Sequence, residues 1–544
     1  MKKGKKFFAV AAALLLGASL FFIGCETEPE EGTEEGGGEG SEPEEPTSLT
    51  GNKTAAEIAA YLKSAGPFAF EGVVQTDGGM VFIPAGKNVE LAGAAAYTGT
   101  TNSILILEDA SSVAGEGKLK KGNGVIVAPE AVAAAHVDGG TDNAVILLSP
   151  TEPIVTTGAV IAVKPSTGTL TISSAATSST NITTNTQLEN KTLYVVGAFT
   201  VSGSLYVSSG SVNVVVTGDV TVSESQSDSV HWKIGGNLTA TKSPLSGSKA
   251  GSLDVTGNAD ITTLNAADGA GAVNIGGDAK FSQLETKGPL TIGGNTTFAS
   301  TVHGKIGGAT TFGGNVTLEA TKDLEFTGTE TVTLKAGKNI NDVLVAGSED
   351  VVLTPTATAK LAYAAAGNKI TLDTENLALT SGELSIPAGK EFFTKKQFTV
   401  GTALTVDGTL SIADSADAKV LLTNASTKVV LNADSTLDVG QSGKFGTATP
   451  TDTKISVAAS SAPGTPTKAK SEKNDETWTI TTDGNGADFS SDDSTPILGN
   501  VKIAVNGSQD VNGVACADNS DSTAAGKLKA GSNTTITFTG TGDN

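Results

Sequence analysis

A unit of about twenty residues occurs six times between positions 195 and 320, and it constrains the fold more than any other sequence feature. Each copy has an apolar residue, then Gly or Thr, Gly, Asn or Asp, and alternating apolar residues, as in VTGDVTV, IGGNLTA and FGGNVTL. The second glycines lie 18, 21, 20, 17 and 20 residues apart, at Gly218, Gly236, Gly257, Gly277, Gly294 and Gly314. This period is typical of solenoid proteins, in which successive repeats stack and bury one continuous core.

Two columns of apolar residues emerge when the six units are aligned on that glycine. The column two positions before it holds Val216, Ile234, Val255, Ile275, Ile292 and Phe312. The column four positions after it holds Val222, Ala240, Ile261, Phe281, Phe298 and Leu318. Equivalent strands of successive coils lie about 4.8 Å apart, so equivalent side chains pack over one another. The sequence therefore predicts parallel strands stacked in register, with both columns in the core.

A third column contains only Asn and Asp and directly follows the glycine, at Asp219, Asn237, Asn258, Asp278, Asn295 and Asn315. We interpret it as a turn in which the glycine adopts positive φ and the Asn or Asp side chain bonds nearby backbone, with stacked side chains forming a ladder. The alternative is a row of oxygen ligands for calcium. Lysine and alanine neighbours dilute the charge, and no acid-rich calcium repeat occurs, so we predict no metal site here.

A short helix precedes the strands. Residues 54–57 (TAAE) form a capping-box pattern, Ile58 and Leu62 follow at helical spacing, and Gly66-Pro67 ends the helix. Residues 129–135 could form a second helix. We expect the first helix to cover the open end of the solenoid.

Related phrases recur outside the six units. Residues 82–87 (FIPAGK) return in part at 385–390 (SIPAGK), and residues 403–412 (ALTVDGTLSI) indicate a strand, an Asp-Gly turn and a strand. These phrases resemble the exported right-handed parallel β-helices of bacterial adhesins and polysaccharide lyases. The predicted fold is all-β, a right-handed parallel β-helix with a short N-terminal capping helix. The alternative is an array of β-sandwich domains. The chain has only two Trp and five Tyr, too few to supply several sandwich cores with their usual buried Trp and Tyr, which argues against this alternative.

The N-terminus has the layout of an export signal. Lys2, Lys3, Lys5 and Lys6 precede an apolar run at residues 7–23. A membrane-spanning helix is the alternative, although 17 apolar residues are at the lower limit for a span. Residues 22–25 (FIGC) resemble the lipobox of bacterial lipoproteins, which implies cleavage before Cys25 and lipid attachment to that cysteine. Residues 26–47 contain ten glutamates and no aliphatic side chain, as expected of a disordered tether.

These patterns predict six segments along the chain. They are a signal peptide at 1–24, an acidic tether at 25–47, a capping helix at 48–66, a β-solenoid at 67–460, an irregular insertion at 461–500, and C-terminal strands or a cap at 501–544. Lipidation of Cys25 would leave Cys516 without an intramolecular partner.

Charge and motifs restrict the function. The net charge is −22 and the chain has no arginine, which argues against nucleic-acid binding. His136, His231 and His303 are scattered, Asp254 and Asp260 have no motif that marks them as a catalytic pair, and the acidic stretch at 483–493 fails the EF-hand template. We expect no cofactor, no metal site and no catalytic residues.

We therefore predict a lipid-anchored, exported surface protein of the outer membrane. It would be adhesin-like or a structural display rod, with the membrane and an extracellular glycan or protein ligand as partners. The alternative is a calcium-dependent polysaccharide lyase or glycosidase on the same scaffold.

Overall fold

Short strands make up most of the regular structure of the described chain, and many of them alternate buried and exposed side chains. In Val220–Val222, for example, both valines are buried and Thr221 is exposed. The computed structural model describes residues 48–447 except 77, 148–153, 156–159, 165–168, 174–189, 204, 206–209, 227–228, 246–248, 267–270, 300–303, 320–322, 423–427, 432–434 and 440–443. Beyond these it describes six strands between 457 and 539.

The first part of the chain forms a small stack of parallel coils with two four-stranded sheets, β1-β2-β4-β6 and β3-β5-β7-β8. The strands are β1 (Leu49–Lys53), β2 (Ala69–Thr76), β3 (Met80–Ile83), β4 (Val89–Gly99), β5 (Ile104–Leu107), β6 (Val113–Gly115), β7 (Val125–Pro129) and β8 (Val145–Leu147). Their inward side chains share one core, which includes Phe70, Leu91 and Leu105. We refer to this part as the N-terminal stack.

Two helices lie at the ends of the N-terminal stack. Helix α1 (Ala55–Tyr61) packs on β1 and β3, and helix α2 (Glu130–His136) packs on β7 and β8. The predicted capping box of α1 is present: Thr54 N donates to Glu57 Oε2 at 2.6 Å, and Glu57 N donates to Thr54 Oγ1 at 3.1 Å. Both helices bury apolar side chains in the stack, so the prediction of an N-terminal capping helix is confirmed. A 3-10 turn (Gly140–Asn143) follows α2.

The second part of the chain, here called the main stack, is much longer. Its first strands are β9 (Ile154–Val155), β10 (Val160–Val163), β11 (Thr169–Ser173), β12 (Thr192–Val195), β13 (Ala198–Ser202), β14 (Ser211–Val216), β15 (Val220–Val222), β16 (Ser229–Ile234), β17 (Leu238–Ala240), β18 (Ser252–Val255), β19 (Ala259–Ala266), β20 (Val273–Ile275), β21 (Ala279–Thr286), β22 (Leu290–Ile292), β23 (Thr296–Phe298), β24 (Gly304–Ile306), β25 (Thr310–Phe312), β26 (Val316–Leu318), β27 (Asp323–Phe326), β28 (Val332–Leu334) and β29 (Asn339–Ile340). Strands β10, β12, β14, β16, β18, β20, β22, β25 and β28 pair in parallel in one sheet, here called sheet I.

Both predicted core columns exist as register partners. Val216 pairs with Ile234, and the same column continues to Phe312 on β25. Val222 pairs with Ala240, and that column continues to Leu318 on β26. All twelve side chains are buried in one core. The parallel β-helix is confirmed, and the alternative array of β-sandwiches is wrong because the repeats pair coil over coil in a continuous sheet.

The glycine column has a different physical cause from the predicted one. These glycines do not adopt positive φ, so that expectation is wrong. They are needed because successive coils approach closely at this corner: Gly257 N donates to Gly236 O at 3.0 Å. A Cβ on Gly257 would lie 2.6 Å from Gly236 O. By contrast, the glycines of the FIPAGK and SIPAGK turns, Gly86 and Gly389, do have positive φ (78° and 73°).

One coil of the main stack runs backwards. The following strands are β30 (Leu344–Ala346), β31 (Val351–Pro355), β32 (Ala359–Ala364), β33 (Lys369–Thr374), β34 (Leu377–Ser381), β35 (Glu383–Ile386), β36 (Glu391–Thr394), β37 (Gln397–Val400), β38 (Ala403–Val406), β39 (Thr409–Ile412), β40 (Lys419–Leu422), β41 (Lys428–Leu431), β42 (Thr436–Val439) and β43 (Lys444–Thr447). Strands β30, β31 and β32 are antiparallel to both of their neighbours. From β33 to β43 the coils again stack in parallel.

Two tight reversals bracket the backward coil. Between β29 and β30, Asn341 and Asp342 have φ of 51° and 54°, and Val343 N donates to Ile340 O at 3.0 Å. This is a type I′ hairpin turn, in which Asn and Asp tolerate the left-handed conformation. Between β32 and β33 the chain turns through a 3-10 segment (Ala365–Gly367) and Asn368, whose φ is 46°.

The Asp-Gly turn at 407–408 is a corner of a coil, since β38 pairs with β35 and β41 and β39 pairs with β36 and β42. The last strands are β44 (Val457–Ala458), β45 (Lys470–Asn474), β46 (Thr477–Thr481), β47 (Ala487–Phe489), β48 (Lys527–Ala530) and β49 (Thr535–Thr539). Strands β48 and β49 continue the parallel ladders of β41 and β42. By contrast, β44–β47 form antiparallel pairs with one another and with β48 and β49.

Candidate functional site

The N-terminal stack packs against the outer face of sheet I. In β12, Leu193 and Val195 point into the main core, so Tyr194 between them points outward. Tyr194 and Val215 form a small apolar cluster with Ile106 of β5 and Val127 of β7. Lys164 Nζ and Glu108 add an ion pair across the same contact, at 3.3 Å. The contact therefore buries residues from both stacks.

A cleft opens beside this contact. It has a volume of about 550 Å³. Its two walls come from the turns that precede β5 and β7 and from the outer face of β12, β14, β16 and β18; the lining residues are Thr101, Asn102, Ser103, Ile104, Asn123, Gly124, Val125, Thr192, Tyr194, Asn213, Val215, His231, Trp232, Lys233, Ser252 and Asp254. This volume lies within the usual range of small-molecule sites, about 300–1,000 Å³.

Strand register brings the polar residues of the cleft floor together. Asn213, His231 and Ser252 are successive register partners on β14, β16 and β18. Lys233 and Asp254 are partners one pleat further along. His231 Nδ1 lies 2.9 Å from Ser252 Oγ, a hydrogen bond that fixes the imidazole ring on the floor.

Burial sets the electrostatics of the cleft. Desolvation raises the pKa of the Asp254 carboxyl, and the charge of Lys233 lowers it by a smaller amount. Desolvation also raises the pKa of the Tyr194 hydroxyl, to about 12. The floor thus holds a partly buried carboxyl and a neutral phenol.

Much of the hydrogen-bonding capacity in the cleft is unused. Within the described part of the chain, the side chains of Asn102, Asn123, Asn213, Tyr194 and Asp254 make no hydrogen bond. The three asparagines are exposed and Asp254 is half-buried, so these groups can bond to water or to a ligand. The cleft therefore offers donors and acceptors to a bound molecule.

The candidate residues from the sequence fall in separate places. Asp254 and His231 line the cleft, whereas Asp260 is exposed on β19 and contacts Lys280 Nζ at 3.4 Å, so the two aspartates do not form a pair. His136 ends α2, and its Nδ1 is buried without a hydrogen-bond partner among the described residues. Cys25, His303, Cys516 and most of the 483–493 stretch lie outside the described residues.

The Asn and Asp column forms the predicted ladder. Each side-chain oxygen accepts a hydrogen bond from the backbone N–H of the Asn or Asp in the next coil, at 2.6–3.0 Å from Asp219 through Asn315. The ladder continues to Asn339, whose N–H donates to Asn315 Oδ1 at 3.2 Å. These oxygens are thus engaged with the backbone, as the turn interpretation requires. No group of three or more His, Cys, Asp or Glu placed to hold a metal ion occurs among the described residues.

Comparisons with known proteins found no match to a family model, a curated protein or a solved structure. In the described part of the chain no helix has the length and apolar character needed to cross a bilayer.

The sequence did not predict the cleft. Its floor residues occupy outward positions of the strands, whereas the repeat pattern lies in the inward columns. Its other wall comes from residues 101–125, which are distant in sequence. The only available signal was the set of polar or bulky outward residues at matching positions, Asn213, His231 and Ser252.

Proposed function

We propose that the protein is a lipid-anchored display protein of the cell surface, with an adhesin-like binding role. The observation that carries the proposal is the continuous parallel register from β10 to β28, because a stack of this kind is a long, self-supporting scaffold that can present its sheet faces to a partner. The FIGC motif at 22–25 and the acidic segment at 26–47 support an anchor followed by a spacer.

Metabolic labelling tests the anchor. Cells that express the protein would be fed an alkyne analogue of palmitate, and the protein would be probed for label after purification in detergent. We expect label on the wild type and on Cys516→Ser, and none on Cys25→Ser. The two cysteines form a matched pair, because the chain has no others. Equal labelling of wild type and Cys25→Ser would contradict the proposal.

Protease treatment of intact cells tests display. We expect added protease to cleave the wild-type protein while a periplasmic marker stays intact, with the acidic segment at 26–47 among the first sites because it cannot bury apolar surface. Full protection until the outer membrane is permeabilised would place the protein inside and remove the display role.

A glycosidase is the second candidate, because the pKa of the partly buried Asp254 is raised in a cleft that also holds His231. Glycoside hydrolysis ordinarily uses two carboxyl groups, and Asp254 is the one carboxyl among the residues that line the cleft. Display is therefore the better supported function. Release of reducing ends from a polysaccharide by wild type but not by Asp254→Asn would reverse this preference.

A further inference from the structure

We propose that the cleft between the N-terminal stack and sheet I binds a short segment of a neutral oligosaccharide. This inference rests on the proposed display function for its biological setting, since it names the ligand class that the displayed rod would hold. Binding itself is a property of the folded chain and can be measured without the membrane.

Several side chains that line the cleft have no hydrogen-bond partner among the described residues. Asn102, Asn123 and Asn213 each carry an amide that donates and accepts, and Asp254 carries a carboxyl that accepts when ionised. Sugar hydroxyls also donate and accept, so adjacent hydroxyls can bond to an amide and a carboxylate at once. A ligand with few hydroxyls would displace water from these groups and cover them without replacing the lost hydrogen bonds, which costs free energy.

The lining of the cleft also has an apolar part. Ile104, Val125 and Val215 line the same cleft, and all three belong to or pack on the apolar cluster between the stacks. A pyranose ring has faces of C–H groups and a rim of hydroxyls, so it can cover apolar side chains while its rim reaches the amides. The mixed lining therefore fits a sugar better than it fits a lipid or a small ion.

The charges of the cleft and of the whole chain favour a neutral ligand. Lys233 and Asp254 are adjacent register partners, so their charges oppose each other in the floor. The whole chain has a net charge of −22 and no arginine, which disfavours an acidic polysaccharide. A cation would find only one carboxyl among the lining residues. The opposed charges in the floor, the acidic chain without arginine and the single lining carboxyl together favour a neutral ligand.

The test measures binding to the purified full-length protein in detergent. The probes are the hexaoses of cellulose, chitin, xylan, mannan and amylose, with hexagalacturonic acid as the acidic comparison. Binding would be detected by saturation-transfer NMR and then measured by calorimetry. Asn213→Trp would fill the cleft from an exposed position. Thr291→Trp is its matched control, because Thr291 is also exposed on sheet I but lies two strands away from Asp254 and outside the cleft.

We expect at least one neutral hexaose to bind wild type and Thr291→Trp alike, and Asn213→Trp to lose binding. Asp254→Asn should weaken binding by about tenfold through loss of a charged acceptor, while Asp260→Asn on sheet II, the other long sheet of the main stack, should not change it. Three results would each overturn the inference: no probe binds at millimolar concentration, only the acidic probe binds, or Asn213→Trp binds as well as wild type. None of them bears on Cys25 labelling or protease access, so the display proposal fails or survives separately.

Discussion

Replacing Gly257 by alanine tests what holds successive coils at their observed spacing. A Cβ at this position would lie 2.6 Å from both Gly236 O and Asn237 Oδ1, whereas β-carbons essentially never approach another atom within 3.0 Å. The corner would have to open by about 0.4 Å in a closely packed interior. That movement also strains two bonds between coils, Gly257 N to Gly236 O at 3.0 Å and Asn258 N to Asn237 Oδ1 at 2.9 Å.

The expected loss of stability follows from these contacts. Overpacking costs about 1–3 kcal/mol, and each weakened hydrogen bond adds up to about 1 kcal/mol. We therefore expect a local destabilisation of about 2–4 kcal/mol. Because coils of a solenoid contact mainly their neighbours, the loss should be concentrated in strands β17–β21 rather than spread over the chain.

Hydrogen–deuterium exchange with peptide resolution measures this loss. Amides of β17–β21 should exchange roughly 30-fold faster or more in Gly257→Ala, with β36–β39 unchanged. Gly389→Ala is the control: its φ is 73° and its new Cβ would meet no atom within 4 Å, so backbone strain of about 1 kcal/mol is all that it introduces. If Gly389→Ala were the more disruptive of the two, close approach would not be the reason for the glycine column.

Features that repeat along the chain or form within one turn could be predicted from the sequence. The two apolar columns and the Asn and Asp ladder were predictable because six successive units repeat them, so each unit supports the interpretation of the others. The capping box was predictable because Thr54 and Glu57 interact within one turn. The conformation of the column glycines was not predictable, because a sequence does not distinguish a glycine required for positive φ from a glycine required for close approach of two coils.

The backward coil and the cleft could not be predicted from the sequence, for a different reason. The first reversal depends on Asn341-Asp342, a pair that supports a type I′ turn but also fits the Asn and Asp column of an ordinary coil. The cleft depends on how the N-terminal stack meets sheet I, through Ile106, Val127 and Tyr194. These are long-range contacts between apolar residues that any buried strand might carry, so no local pattern specifies them.

Three further substitutions test the core and the charges. Phe281→Ala, in the second apolar column, should destabilise its coil by about 3–5 kcal/mol, seen as faster exchange in β19–β23; a change confined to β21 would show that neighbouring coils are not coupled. In Asp350→Asn, loss of the carboxylate that accepts from Lys335 Nζ at 2.7 Å and from Ala336 N at 3.0 Å should lower the thermal midpoint at pH 7, because those bonds hold the pKa of Asp350 below its usual value. That difference should disappear as the pH falls through the lowered pKa, where wild type loses the same contribution. Asp254→Asn should change the thermal midpoint in the opposite direction, because burial raises the pKa of Asp254. Between the unfolded pKa of about 3.9 and the higher folded pKa, the folded state binds more protons than the unfolded state. Wild-type stability therefore falls as the pH rises through that window. The asparagine variant avoids this loss, so it should have a higher thermal midpoint than wild type at pH 7 but not below about pH 4. A lower midpoint than wild type at pH 7 would mean that the cleft stabilises the ionised carboxyl instead of destabilising it.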